Sequence, residues 1–170
     1  MELQDAINQR HSIRQFTDKP VEKKMITKIV ELAQRAPSWV SSQPWQVYCA
    51  MGDTLQEIKN AYRDQDIAGN QGNSDLPVIL YITIPKASPD WSIFDAGLFA
   101  ENIMLAATAY GLGTIPTYNS VRFPAILHQT LDVPDDERFI VGISLGYSAD
   151  TTINSYHSER RPVNEILHFN

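Results

Sequence analysis

Pro77-Val78-Ile79-Leu80-Tyr81-Ile82-Thr83-Ile84 is a nearly unbroken apolar run of strand length. A half-buried strand alternates apolar and polar residues. A run apolar on both sides reads as a central strand covered on both faces. A second long apolar stretch follows, from Trp91 to Tyr110. It carries Ile93, Phe94, Leu98, Phe99, Ile103, Met104, Leu105 and Ala106, so most sides of the helix are apolar. Asp95, Glu101 and Asn102 interrupt it, which favours a buried helix over a membrane span. Gly111 and Gly113 terminate it. A helix that is apolar all round belongs inside a domain or at a subunit interface. The pattern alone leaves both open.

Upstream, Trp45, Val47, Cys49 and Met51 alternate as a strand does. Asp53-Thr54-Leu55-Gln56 has the form of a capping box, and Leu55, Ile58 and Tyr62 continue a helix behind it. Asp64 to Asp75 is polar and rich in Gly and Asn, hence a loop. Residues 22–35 place Met25, Ile26, Ile29, Val30, Leu32 and Ala33 at helical spacing, and Pro37 closes that helix. Leu3, Ala6 and Ile7 define one side of a short helix over 2–9. Downstream, 114–118 and 138–145 read as strands and 123–131 as a helix. Residues 148–170 form a polar arm that carries Arg160 and ends in Ile166-Leu167-His168-Phe169. The expected class is α+β, four strands with helices packed around them, in a single domain over 1–170.

The chain is acidic, with 14 Lys+Arg against 20 Asp+Glu and a net charge of −6. That argues against a nucleic-acid surface, which needs a broad basic face. Cys49 is the single cysteine, so no internal disulfide forms, and a cytoplasmic location fits. The N-terminus, Met-Glu-Leu-Gln-Asp, carries no apolar signal segment. No membrane association is expected. His128, His157 and His168 show no metal-ligand spacing, so no metal is expected. No Gly-x-Gly-x-x-Gly run marks a Rossmann dinucleotide site.

Against this background, Arg10-His11-Ser12-Ile13-Arg14 concentrates two guanidiniums, an imidazole and a hydroxyl in five residues. Arg160-Arg161 lies near the other end. Such groups supply charge-assisted hydrogen bonds to phosphate oxygens, which suggests a small, specific anion. Two solvated basic patches remain the alternative.

Five pieces in order resemble the nitroreductase family of FMN-dependent oxidoreductases. They are Arg10-x-Ser12-x-Arg14; Ala36-Pro37-Ser38 with Gln43-Pro44-Trp45; Phe94-Asp95-Ala96-Gly97 leading to Gly111-Leu112-Gly113-Thr114; Gly142-Ile143-Ser144-Leu145-Gly146-Tyr147; and Glu159-Arg160-Arg161-Pro162. The resemblance covers about residues 5–168. It implies a nitroreductase-like fold, a central mainly antiparallel sheet flanked by helices, in an intertwined homodimer. The 148–170 arm would embrace the partner subunit, and one FMN would sit in each of two interface clefts.

The same resemblance assigns Arg10, Ser12 and Arg160 to the phosphate and ribityl chain, and Arg14 to the N1 and C2-carbonyl side of the flavin. His11 would contribute mainly its backbone. Pro37, Ser38, Ser41 and Gln43 would reach the ring edge from the neighbouring subunit, Asn70 and Gln71 its pyrimidine side or ribityl chain, and Pro116 and Thr117 its other face. Trp39, Tyr62 and Trp91 would wall the substrate pocket. Trp45 reads as core. In the family, hydride passes from NADH or NADPH to flavin N5 and then to a nitroaromatic, a quinone or a similar small acceptor, in ping-pong order. The cofactor carries that chemistry, so no catalytic side chain is expected.

The sequence departs from the family pattern in three places. Ser41 stands where members often carry Asn. Ser158 stands where many carry a basic residue. The stretch from Gly52 to Leu76, which helps to roof the pocket in many members, is short. An FMN-binding or storage homodimer without useful turnover, or another flavin reaction on the same scaffold, is therefore the alternative function.

Overall fold

The computed structural model describes residues 1–65 and 76–169. Among the described residues, five helices, α1 (Leu3–Gln9), α2 (Lys23–Ala33), α3 (Gly52–Gln65), α4 (Trp91–Ala109) and α5 (Pro124–Thr130), surround four strands. The strands are β1 (Gln46–Met51), β2 (Val78–Pro85), β3 (Gly113–Thr117) and β4 (Glu137–Gly146). They form one antiparallel sheet in the order β1-β2-β4-β3.

The two-sided burial expected of the 77–84 run is found in β2, whose residues 78–84 are all buried. Val78, Leu80, Ile82 and Ile84 point to the face covered by α2 and α4, among Ile29, Phe99 and Ile103. Ile79 and Tyr81 point to the other face, among Leu55 and Ile58 of α3 and Leu127 of α5. Each large apolar side chain so buried contributes about 1.5–3 kcal/mol relative to exposure. Trp45 does lie in the core, stacked on Phe99 with ring centroids 4.7 Å apart and planes 7° off parallel.

Helix α4 is ended by Gly111 alone; Gly113, expected to share that task, is the first residue of β3. Gly111 takes φ +76°, its N–H donates to the Thr108 carbonyl, and the Leu112 N–H donates to the Ala107 carbonyl. This pair of bonds satisfies carbonyls that a helix end otherwise leaves open, and only glycine turns left-handed there without strain.

Two local expectations need correction. Helix α3 starts at Gly52, so Asp53 lies inside its first turn instead of capping it, and the helix continues through Asp64 and Gln65, where a loop was expected. The left-handed Gly52 (φ +56°) turns the chain out of β1 directly into the helix. In α1, Ala6 alone is buried, whereas Leu3 and Ile7 face outward.

Other apolar surface is likewise left uncovered by the chain. On α4, Trp91 and Phe94 sit at helical spacing and stay exposed, Phe94 at 68%. Residues 155–169 are exposed throughout, with Tyr156, Val163, Ile166, Leu167 and Phe169 among them. Among the described residues, no helix is long and apolar enough to cross a membrane.

The sheet is extended at its β3 edge by the segment that follows α1. Ser12 bridges Thr114 in parallel, and the Ile13 N–H donates to the Thr114 carbonyl at 3.0 Å. Phe16 then bridges Ser148, and the Thr17 N–H donates to the Tyr147 carbonyl at 2.8 Å. The close pass requires glycine at Gly113 and Gly146: a Cβ there would run into Ile13 and Ser148, or into Phe16 and Pro77.

Candidate functional site

The candidate residues fall into three groups, each held by a different part of the frame. The first is the 10–14 segment. Successive residues of an extended chain present their N–H groups to opposite sides. Here the Ile13 N–H goes to β3, and the Arg14 N–H goes the other way, to the Asn154 side-chain oxygen at 2.8 Å. The Arg10 guanidinium lies 3.7 Å from the Glu101 carboxylate on α4, a long and partly exposed pair. Pairs of that kind contribute little, which leaves Arg10 suited to a stronger anion. Arg14 Nη1 donates to the Ser12 carbonyl at 3.3 Å.

His11 does more than was expected of it. Its Nε2 lies 2.8 Å from the Asn154 carbonyl oxygen and its Nδ1 2.8 Å from that of Gln9. Its ring also packs on His157, centroids 3.9 Å apart. The imidazole thus fastens the 10–14 segment to the root of the C-terminal arm. Arg160 follows three residues after His157. Its guanidinium is exposed and closes on its own arm, donating to the Ser158 carbonyl and hydroxyl at 2.8 and 2.6 Å. The structure therefore brings the Arg10 and Arg160 segments together through the two histidines, without direct contact between the guanidiniums.

The second group is the loop after α2. Val40, Ser41 and Gln43 have φ of +48°, +56° and +45°. Left-handed non-glycine residues cost on the order of 1 kcal/mol each and persist where surrounding contacts fix them. Those contacts are present: the Gln43 N–H donates to Ser38 Oγ at 2.9 Å, and the Trp39 N–H donates to the Asp95 carboxylate at 3.1 Å. Asp95 is 3% exposed, near the start of α4. The Trp39 and Trp91 rings meet at 5.1 Å, both half-exposed or more. A cavity of about 300 Å³ opens at this loop, lined by Arg35, Pro37, Ser38, Ser41 and Gln43 among others.

The third group is the end of β3. Pro116 and Thr117 pair with Ile143 and Gly142 of β4. The Thr117 hydroxyl is engaged locally, donating to the Gly142 carbonyl at 3.1 Å. Tyr62 lies on the α3 side of the sheet, where its hydroxyl donates to the Ser120 carbonyl at 2.7 Å and its ring meets Phe123 edge-on. Trp39 and Trp91 lie by α4 on the opposite side, so the three aromatics do not form one wall within a protomer. Asn70 and Gln71 lie outside the described residues. A larger groove of about 840 Å³ between α5 and the start of β4 contains none of the candidate residues. Among the described residues, no cluster of His, Cys, Asp or Glu is arranged to hold a metal ion.

Sequence reasoning missed the function of two of these holders. Asp95 had a signal, since a carboxylate in an apolar helix needs a buried partner. Asn154, in a polar stretch of the arm, had none.

The model of the nitroreductase family matches residues 7–80 and 68–147. The chain belongs to the nitroreductase family. The matched residues contain the first group up to the end of β4, and the arm lies beyond them. Among relatives of this nitroreductase-family chain, a 4-nitrobenzoate reductase of Pseudomonas putida is 26% identical, over 96% of this chain and 93% of that protein. An NAD(P)H FMN reductase of Bacillus subtilis is 26% identical, over 96% of this chain and 72% of that protein. In fold, the chain is similar to the FMN- and NADPH-dependent nitroreductase NfnB of Sphigopyxis sp. strain HMH. The TM-score is 0.92 at 21% identity, covering 100% of this chain and 99% of the other. The fold is thus the nitroreductase-like α+β fold, with the antiparallel sheet that the sequence implied.

Proposed function

We infer that this nitroreductase-family chain is an FMN-dependent NAD(P)H oxidoreductase that reduces nitroaromatics, quinones or similar small acceptors. It works as a cytoplasmic homodimer. The observation that carries the reading is the junction of His11 with His157, which roots an Arg160-bearing arm beside Arg10 in a family of flavin enzymes.

The residues suit the cofactor. A phosphate dianion on a chain of net charge −6 needs local positive charge, and Arg10, Arg14 and Arg160 supply it with the Ser12 hydroxyl alongside. FMN, when bound, would supply the chemistry of hydride transfer between NADH or NADPH and the acceptor. The protein's own part is to bind and orient. Arg10, Ser12 and Arg160 hold the phosphate and ribityl end, and His11 lends its backbone. Arg14 stands on the pyrimidine side, where a fixed cation favours the reduced anion. Pro37, Ser38, Ser41 and Gln43 edge the ring, with Pro116 and Thr117 behind it. Trp39 and Trp91 wall the acceptor's side. Asn70 and Gln71 complete the proposed set.

The homodimer is supported by what one chain leaves uncovered: Trp91 and Phe94 on α4, Leu3 and Ile7 on α1, and the exposed arm from 155 onward. A protomer that exposes so many large apolar side chains offers surface for a partner.

The test is direct. Protein purified with FMN is expected to be yellow, to bleach with NADH or NADPH, and to oxidise the reductant steadily once a nitroarene or quinone is added. A colourless protein that takes up no added FMN overturns the reading. The short stretch between β1 and β2 favours one alternative, a flavin-binding homodimer without turnover. Bound flavin that reduces no acceptor would select it.

A further inference from the structure

Asn154 stands out among the residues that the proposed chemistry does not use. It is buried, 7% exposed, in a stretch of arm whose neighbours are open to solvent. Its side-chain oxygen accepts from the Arg14 N–H at 2.8 Å and the Gln15 N–H at 3.1 Å. Its side-chain nitrogen donates to the Gln15 carbonyl at 2.7 Å and the Ala149 carbonyl at 2.8 Å. An amide side chain has two donors and two acceptor positions, and all four are filled. The partners also fix its orientation: both groups on the oxygen are N–H donors, and both on the nitrogen are carbonyls. Its own carbonyl oxygen lies 2.8 Å from His11 Nε2. One residue of the arm thus touches the 10–15 segment at His11, Arg14 and Gln15, across about 140 positions of sequence.

We propose that Asn154 is the positioning residue for Arg14, setting where that cation stands against the flavin by locking the 11–15 segment to the root of the arm. The proposal rests on the FMN reading above. The segment's backbone is tied at Ile13, which bonds to Thr114 on one side, and at Gln15, whose carbonyl accepts from the Ala149 N–H at 3.1 Å. On the other side, Asn154 satisfies both the Arg14 and the Gln15 N–H. Without it, the two N–H groups lose this acceptor, the Gln15 carbonyl keeps only the Ala149 N–H, and the backbone around Arg14 can shift between its ties at Ile13 and Gln15. A buried polar group that loses its partner moves toward water, because staying unpaired is costly. The guanidinium would move with the backbone.

The test uses the full-length protein with FMN. Asn154→Ala removes all four side-chain bonds. Asn154→Ser, which adds no charge and cannot make the four amide bonds, stands in if the alanine variant does not fold. Ser155→Ala, which loses only a local bond to the Thr152 carbonyl, is the neighbouring control. Two quantities are read: the FMN dissociation constant and the flavin midpoint potential at saturating FMN. Both Asn154 variants are expected to bind FMN at least tenfold more weakly than wild type and to show a more negative potential. Ser155→Ala should match wild type in both. A purely structural role would lower the melting temperature and leave the potential of the loaded protein unchanged, and that result overturns the inference alone. Wild-type protein that takes up no FMN overturns the parent reading, and this inference with it.

Discussion

The His157 ring lies on the His11 ring, with centroids 3.9 Å apart and planes tilted by 34°. Residues 146 positions apart are thereby joined one residue from Arg10 and three residues from Arg160. Three residues span at most about 10 Å of extended chain, so Arg160 remains within a short reach of that junction. The arm departs from the fold at the place where the N-terminal cations are gathered.

The loop that carries Ser38, Ser41 and Gln43 hangs on one buried carboxylate. Asp95→Asn keeps a side-chain oxygen for the Trp39 N–H, whereas Asp95→Ala removes it. The alanine variant is expected to lose about 1–3 kcal/mol and to be cut by protease within 37–43 faster than wild type. The asparagine variant should stay near wild type. Urea unfolding and limited proteolysis check both.

Gly142 faces the 3₁₀ turn at Tyr118–Val121, and a Cβ at 142 would collide with the Ser120 hydroxyl and crowd Ile79. Overpacking of this kind typically costs about 1–3 kcal/mol. Gly142→Ala should lower the melting temperature, and adding Ser120→Gly should restore part of the loss. A single variant as stable as wild type would show that the turn yields freely.

Burial pushes the Tyr62 hydroxyl up to about 12, only partly offset by hydrogen bonding at Phe123 and by the Arg122 charge. The folded state therefore favours the protonated phenol. Its stabilising effect is complete below the unfolded value near 10 and is lost as pH rises from about 10 through about 12. Tyr62→Phe should flatten that part of the alkaline stability curve, measured by urea midpoints between pH 9 and pH 12 (roughly the window those values set).

Phe99 is fully buried between α4 and the sheet and stacks on Trp45. Phe99→Ala should cost about 3–5 kcal/mol and change the tryptophan fluorescence of the folded state.

Much of the fold was legible because burial writes a period into sequence. The run 78–84 is apolar on both faces because helices cover both, and the four strands fall close to where alternation and apolar runs placed them. The start of α3 was misjudged because Asp53-Thr54-Leu55-Gln56 resembles a cap, while Gly52 supplies the turn instead. Leu3, Ala6 and Ile7 share one side of α1 in the sequence pattern, yet Leu3 and Ile7 stay exposed, because periodicity shows which residues share a side, not what covers it. Of the site, the cations could be seen because they contrast with an acidic chain. Asn154 could not: its role rests on backbone partners about 140 residues away, and backbone groups carry no sequence signal.

The central claim is that Arg10 and Arg160 hold one phosphate, so the decisive measurement compares equilibrium binding of FMN and riboflavin. Wild type should prefer FMN about 100-fold or more, since charge-assisted bonds contribute about 1.5–3 kcal/mol each and 1.4 kcal/mol is tenfold. Arg10→Ala and Arg160→Ala should each reduce that preference by roughly tenfold or more, on the same scale, while leaving riboflavin binding near wild type. Equal wild-type affinity for the two flavins, or a preference unchanged in both variants, would contradict the account.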